Sequence, residues 1–379
     1  ANGQSYLEGN VVSLIEQIRN QMPGISTNAF VIPSDAQMDL FGDVIKKMKG
    51  KDFADIQSMI DPYGYQFIEY HDMISGDTLY ILKENYPVGR GWGTFIYRPT
   101  VSLDMEIEVP HPIWDTKSWR LGIYTFLKLR AEWFMMAGTH RYANTDSSSD
   151  VAHVTRSVFN RAHQVISASR AIQVHGFNNS DPSYGGYPDI VISSGNLYPP
   201  NILFVLKFKF EGKYFSSGVY SISTQSSLSK LAATTNKQGQ FSNANGLSFV
   251  HIEFDTPIRT DSMKSSNAVE ALFETFGTPS GVDRIDEVYS ESLKLFQNYP
   301  NPFNPDTKIM FGLKRIGFVS LKVFDIMGQE VASIAEGMFM PGEYAYIWES
   351  AKDKASSGLY FSVLKIDDEM RTRKMMFLK

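Results

Sequence analysis

Cysteine is absent from all 379 residues, which removes disulfides, thiolate zinc sites and cysteine nucleophiles together. An excess of positive charge is missing too. Against 36 basic residues stand 41 acidic ones, a net charge of −5, and no basic stripe interleaves with aromatics, which argues against nucleic acid as a partner. The most apolar long stretch, LGIYTFLKLRAEWFMMAG, is broken by Lys128, Arg130 and Glu132. No run of about 18 apolar residues remains, so no transmembrane segment is expected. The GxSxG elbow, the Walker phosphate loop and GxGxxG are also missing. Serine hydrolase, nucleotide hydrolase and dinucleotide oxidoreductase readings therefore lack their machinery.

What is present is enough chain for two or three domains with a sizeable core. Fold stability needs no metal or disulfide staple. The sequence begins at Ala1 with a polar decapeptide, ANGQSYLEGN, which reads as a processed N-terminus whose signal peptide is gone.

From Leu295 onward, short alternating segments are separated by turn residues, as at residues 308–313, 319–325, 344–348 and 359–366. That is the pattern of a small β-sandwich. The same region carries NYPNPFNP at 298–305, VFDIMGQEV at 323–331, PGEY at 341–344, SSGLYF at 356–361 and KMMFLK at 374–379. On these motifs it resembles the C-terminal sorting domain of proteins exported by the type IX secretion system. The resemblance implies a secreted or cell-surface protein, the secretion machinery as a partner, and a function that lies upstream.

Upstream, helical periodicity dominates from Gln4 to Ile60. Two strands are expected around the Ser75-Gly76-Asp77 turn, and strands then alternate with helices: TFIYR, the strand opening VSLDMEIEV, a helix from Lys117, WFMMAG, a helix from Asp150 and AIQV. Alternation of this kind predicts an α/β fold with a mixed, largely parallel central sheet and flanking helices. The expected divisions are an N-terminal helical or α+β segment at 1–90, a prosegment or a part of the catalytic fold; a metal-dependent hydrolase domain at 91–276; a Gly-, Pro-, Ser- and acid-rich linker at 277–293; and an immunoglobulin-like sandwich at 294–379.

Seven histidines occur, and five of them fall between residues 111 and 175. His111, His140 and His175 each follow an expected strand, and loops leaving the carboxyl ends of strands line the ligand crevice of open α/β sheets. Imidazole and carboxylate without thiolate suit zinc, whose catalytic sites take three protein ligands plus water. His111 and Asp115, four apart in a strand-to-helix turn, make a short pair for which His175 is a distant third ligand. The alternative for Asp115 is a helix cap, and another carboxylate or histidine is left open in its place as the third ligand. In GLSFVHIEFDTPIR, Phe249, His251, Glu253 and Asp255 share one strand face. Burial there raises a carboxylate toward the range of a general base; the alternative is a solvated edge-strand glutamate.

The order of these pieces, over residues 93–259, resembles the zinc carboxypeptidase group, including N-formylglutamate amidohydrolases and poly-γ-glutamate hydrolases. The positions that match are His111, Asp115, Arg141, His175 and Glu253. The group's acidic ligand is a glutamate at spacing three, whereas Asp115 stands at spacing four. The resemblance implies Zn2+ held by His111, Asp115 and His175, Glu253 as the proton acceptor, and Arg141 as a catalytic arginine. His140 and Asn144 in the same loop as Arg141 are candidates for substrate binding. Asp150, His153, His163 and His251 are candidates for supporting roles around the ligands.

These readings converge on a secreted zinc-dependent hydrolase of amide bonds, of peptide or N-acyl amino acid type, acting on a small-molecule or peptide substrate. The competing expectation is a secreted, non-enzymatic carbohydrate- or protein-binding module built on the aromatics of GRGWGTFIYRP and SYGGYPDI. A metal-dependent phosphoesterase would gather more aspartates.

Overall fold

A computed structural model describes residues 5–100, 102–184, 186–196, 199–220, 229–277, 293–313, 317–339, 342–350, 355–366 and 369–378. Two compact units divide the chain, Ala1–Gly281 and Val282–Lys379. Apart from its ends, Gly277 and Leu293, the expected linker at 277–293 lies outside the described residues.

The first unit runs β1 (Ser5–Gly9), α1 (Val11–Asn20), α2 (Asp35–Lys49), α3 (Ile56–Ile60), β2 (Tyr65–Asp72), β3 (Thr78–Glu84), β4 (Thr94–Tyr97), β5 (Leu103–Val109), α4 (Ser118–Leu129) and β6 (Ala131–Met136). It continues with α5 (Val158–Ile166), β7 (Arg170–Phe177), β8 (Ile190–Ser193), α6 (Asn201–Glu211), β9 (Ser217–Tyr220), α7 (Lys237–Ala244), β10 (Ser248–Asp255), α8 (Thr256–Thr260) and α9 (Ser262–Phe276). Its strands form one mixed sheet in the order β1-β2-β3-β4-β6-β5-β7-β10-β8-β9. β6, β5, β7 and β10 are parallel at its centre. No division falls near residue 90, since β1, β2 and β3 belong to the same sheet.

Helices cover both faces, and the residues of β6 show how. Trp133 and Met135 point to one layer, where they meet Phe41, Ile45 and Met48 of α2 and Phe159 of α5. Phe134 points to the other. There Gly122 of α4 lets the helix approach closely, because a Cβ at that position would stand 2.3 Å from the Val109 side chain and 3.3 Å from that of Phe134. α2 starts cleanly because Ser34 and Gln37 form a reciprocal capping box.

Three local expectations change. The period-two alternation of VSLDMEIEV reads as a strand with one buried face, but Glu106 and Glu108 on its other face are fully buried as well, because α5 covers them and brings His163 to both carboxylates. The helix expected from Asp150 begins only at Val158, capped by Ser157, so His153 and His163 do not share a helix. Trp92, Phe95 and Tyr97 of the expected aromatic platform are core residues; the Trp92 Nε1–H donates to the Val31 carbonyl at 2.6 Å.

The second unit contains β11 (Leu293–Leu295), β12 (Asp306–Leu313), β13 (Gly317–Asp325), β14 (Glu330–Phe339), β15 (Gly342–Glu349), β16 (Gly358–Ile366) and β17 (Glu369–Phe377). Two antiparallel sheets, β11-β12-β15 and β14-β13-β16-β17, close on a core that includes Phe303, Phe311, Leu321, Trp348, Leu364 and Phe377. This three-plus-four arrangement is an immunoglobulin-like sandwich. Phe303, from NYPNPFNP, is buried in that core and stacks on Phe377 with ring centroids 5.1 Å apart.

In the first unit the chain leaves β5 for β6 on one side and comes back to β7 on the other. The carboxyl ends of β5 and β7 therefore flank a switch of direction, where open α/β sheets form their crevice.

Candidate metal centre

His111 leaves β5 in the turn Pro110-His111-Pro112. Its carbonyl accepts from the Asp115 N–H at 3.0 Å, which folds the turn so that residues four apart come side by side. His175 arrives from β7. It lies inside that strand, two residues before its end, rather than just past the end as the sequence predicted. The three side chains meet: His111 Nδ1 and His175 Nδ1 each stand 3.3 Å from Asp115 Oδ2, and 3.2 Å from each other. All three residues are buried, and Asp115 Oδ2 accepts no hydrogen bond.

Those separations can be compared with what a metal requires. Ligands about 2.0–2.1 Å from a tetrahedral zinc lie about 3.3–3.4 Å apart. The opposite ring nitrogens are already engaged. His111 Nε2 is 2.9 Å from Asp150 Oδ1, and His175 Nε2 is 2.7 Å from Gln173 Oε1. A carboxylate and an amide oxygen only accept, so each Nε2 carries the proton and each Nδ1 turns a lone pair inward. Two lone pairs and a carboxylate oxygen confronting one another in a buried place fit a bound cation.

The electrostatics keep both carboxylates of the site ionised. Burial alone would raise the Asp115 carboxyl, but the neighbouring imidazoles of His111 and His175 hold it well below the usual range. Burial lowers His175 to about 4. Burial and the Arg141 charge work against protonation of His111, yet Asp115 and Asp150 outweigh them and raise it. Asp150 likewise resists burial: hydrogen bonds from His111 and His153 and the charge of Arg141 keep it ionised. Arg141 also donates to Asp150 Oδ2 and brings Nη1 to 3.5 Å from His111 Nδ1. Its Nε is buried and unpartnered.

Glu253 stands beside this triangle. It lies on β10, which is interior to the sheet, and is 8% exposed. Burial, and then the negative Asp115, push its carboxyl up to about 8. Its Oε2 has no hydrogen-bond partner. His251, one strand position away on the same face, is 3.7 Å from Glu253 Oε1 and 3.1 Å from the Ser193 hydroxyl. Burial and the neighbouring His175 lower His251 well below the ordinary imidazole range.

A cavity of about 280 Å³ opens onto these groups, bounded by Trp114, Tyr142, Phe177 and Tyr184 and reached by Arg141, His153 and Lys230. Two expected substrate-binding residues do not line it. His140 accepts from the Tyr142 N–H at 3.0 Å and packs its ring against Trp114. The Asn144 amide donates to the Phe30 carbonyl at 2.8 Å and accepts from the Phe30 N–H at 3.1 Å. Both side chains hold the long loop after β6 in shape, because a loop of that length must satisfy its own backbone. His163 is also elsewhere, pushed up to about 10 by Glu106 and Glu108 against the opposing effect of burial.

Sequence reasoning missed Gln173, Asn236, Lys230 and Trp114. Gln173 had one legible signal: it lies two residues before His175 and so shares its strand face.

No protein-family model matches the chain, and no curated protein does. Among solved structures, a gene product from Agrobacterium tumefaciens aligns at 13% identity over 50% of this chain and 91% of its own, with a TM-score of 0.34. The endo-beta-1,4-mannanase from Thermotoga petrophila aligns at 9% identity over 57% of this chain and 48% of its own, with a TM-score of 0.17. Neither likeness is close enough to bear on fold or function. No helix among the described residues is long and apolar enough to cross a membrane.

Proposed function

We propose that the first unit is a zinc-dependent hydrolase of amide bonds, with His111, Asp115 and His175 as the ligands. The observation that carries this reading is the closed triangle of His111 Nδ1, His175 Nδ1 and Asp115 Oδ2 at 3.2–3.3 Å, with Glu253 beside it, whose Oε2 has no hydrogen-bond partner. A zinc ion bound there supplies Lewis acidity and lowers the pKa of water. Histidine and carboxylate donors without thiolate suit that ion, and three protein donors leave a coordination position open.

The remaining work belongs to the chain's own groups. Glu253 takes a proton at Oε2, since no donor competes for that atom, and returns it to the leaving amine. Arg141 is anchored by Asp150 and presents its guanidinium at the cavity wall, where it attracts a carboxylate or polarises a carbonyl. Trp114, Tyr142 and Tyr184 exclude water around the scissile bond. At about 280 Å³, the cavity sits at the lower end of small-ligand sites, about 300–1,000 Å³, and suits an acyl-amino acid or a chain terminus. Hydrolysis of a panel of N-acyl amino acids and short peptides tests the reading: activity falls to background with a chelator and returns with zinc. Hydrolysis indifferent to chelation contradicts it.

We further propose that the sandwich of residues 293–378 is a type IX sorting domain and that the protein is secreted or displayed at the cell surface. Supporting this are the five spaced motifs of the sequence and the seating of Phe303 in the sandwich core. Removing residues 293–379 should abolish export from a type IX-competent host while the purified remainder keeps its hydrolytic rate. Export of the truncated chain, followed in the culture medium, would contradict the assignment.

A further inference from the structure

Next to the candidate metal centre lies a layer of buried amides and carboxylates that the proposed reaction does not use. We propose that Gln173 is a positioning residue: clamped between Glu108, Gln238 and Asn236, it fixes His175 in the Nε2–H tautomer and so aims the Nδ1 lone pair at Asp115 and His111.

The direction of an amide is decided by its neighbours, and here each neighbour is itself decided. Asn236 Oδ1 accepts from the Gly239 backbone N–H at 2.9 Å, a group that only donates. The Asn236 amide nitrogen is therefore the atom facing Gln173, and it donates to Gln173 Oε1 at 2.5 Å. From the other end, the Gln238 amide nitrogen donates to the Val151 carbonyl at 3.1 Å, a group that only accepts. Its oxygen is left to face Gln173 Nε2 at 3.3 Å. Glu108 Oε2 accepts from the same Gln173 nitrogen at 2.8 Å, while Glu108 Oε1 is held by His163 Nδ1 at 3.0 Å. His163 Nε2 in turn meets the Ser242 hydroxyl at 3.1 Å.

Three independent partners thus give Gln173 one orientation, with its oxygen toward His175 Nε2 at 2.7 Å. Flipping the amide would set its nitrogen against the nitrogens of Asn236 and His175 and its oxygen against the Glu108 carboxylate. Gln173, Asn236, Gln238, Glu108 and His163 are all buried, so water does not rescue such a flip. His111 reaches the same tautomer by a separate route, through Asp150 and Arg141. The two imidazoles are therefore set by two unconnected networks.

The consequence for metal affinity rests on the zinc reading above, but the tautomer itself does not. With the full chain labelled at histidine with 15N, long-range proton–nitrogen correlation reads each ring nitrogen of the metal-free protein. The expected wild-type result is a protonated His175 Nε2 and an unprotonated Nδ1. In Gln173→Met, which keeps the volume and removes the acceptor, His175 should populate both tautomers while His111 keeps its Nε2 proton, and zinc affinity should fall roughly 10- to 100-fold. Asn236→Asp, which sets a carboxylate against the Gln173 oxygen, should move His175 in the same direction. A His175 protonated at Nδ1 in the wild type, or an unchanged His175 in a folded Gln173→Met, overturns the proposal. If Gln173→Met does not fold, the wild-type tautomer and Asn236→Asp decide. A wild type that binds no zinc yet loses its tautomer preference in Gln173→Met would sink the zinc reading and leave the positioning role standing.

Discussion

His111→Ala and His175→Ala each lose tight zinc binding, falling from about one ion per chain to background, because three donors reduced to two hold the ion poorly. Each imidazole supplies one edge of the triangle to Asp115 and one to the other ring, so neither loss is covered by a neighbour. Asp115→Asn keeps the backbone hydrogen bond to the His111 carbonyl but removes the anionic donor. It should lower affinity while preserving the turn. Competition with a chromophoric chelator measures all three variants, and near-ultraviolet circular dichroism checks that they are folded. Zinc retained at wild-type affinity by both histidine variants would place the ion elsewhere.

Glu253→Gln behaves in the opposite way, keeping zinc and losing about 10²- to 10⁴-fold in rate, the usual worth of a positioned general base. The amide fits the same space but cannot take a proton. Stability moves in a defined direction. Burial and Asp115 raise the Glu253 carboxyl to about 8, far above its value in the unfolded chain. The folded state therefore prefers the protonated form, and its disadvantage grows as pH rises from the ordinary carboxyl range through about 8. A neutral amide removes that disadvantage, so metal-free Glu253→Gln should melt no lower than the wild type at pH 8. A rate within a few-fold of wild type would remove Glu253 from the reaction.

The site was legible where chemistry and periodicity coincide. A histidine and a carboxylate after an alternating strand located His111 and Asp115, and alternation on β10 put Glu253 on one face with His251. The structure adds the reason Glu253 is unusual: β10 is an interior strand, so the carboxylate is buried on a covered face. The same period-two reading failed on β5. Alternation shows only that Glu106 and Glu108 share a face, and what covers that face is α5, which follows about 50 residues later. A helix starting at Asp150 was a reasonable expectation of a capping aspartate. Its carboxylate instead receives His111, Arg141 and His153, and the chain turns irregularly to deliver it. Gln173 and Asn236 carry no motif at all, since an amide has meaning in such a network only through partners distant in sequence.

The location of the bound ion tests the whole account most directly. Crystals of the zinc-loaded chain measured at the zinc absorption edge should give one anomalous peak in the first unit, about 2.0–2.2 Å from His111 Nδ1, His175 Nδ1 and Asp115 Oδ2. Besides two groups that each share a histidine with the triangle, the described residues offer a separate buried cluster of metal-ligating type, Glu106, Glu108 and His163. A peak there instead, or none at the triangle in crystals grown with excess zinc, would contradict the assignment of the centre.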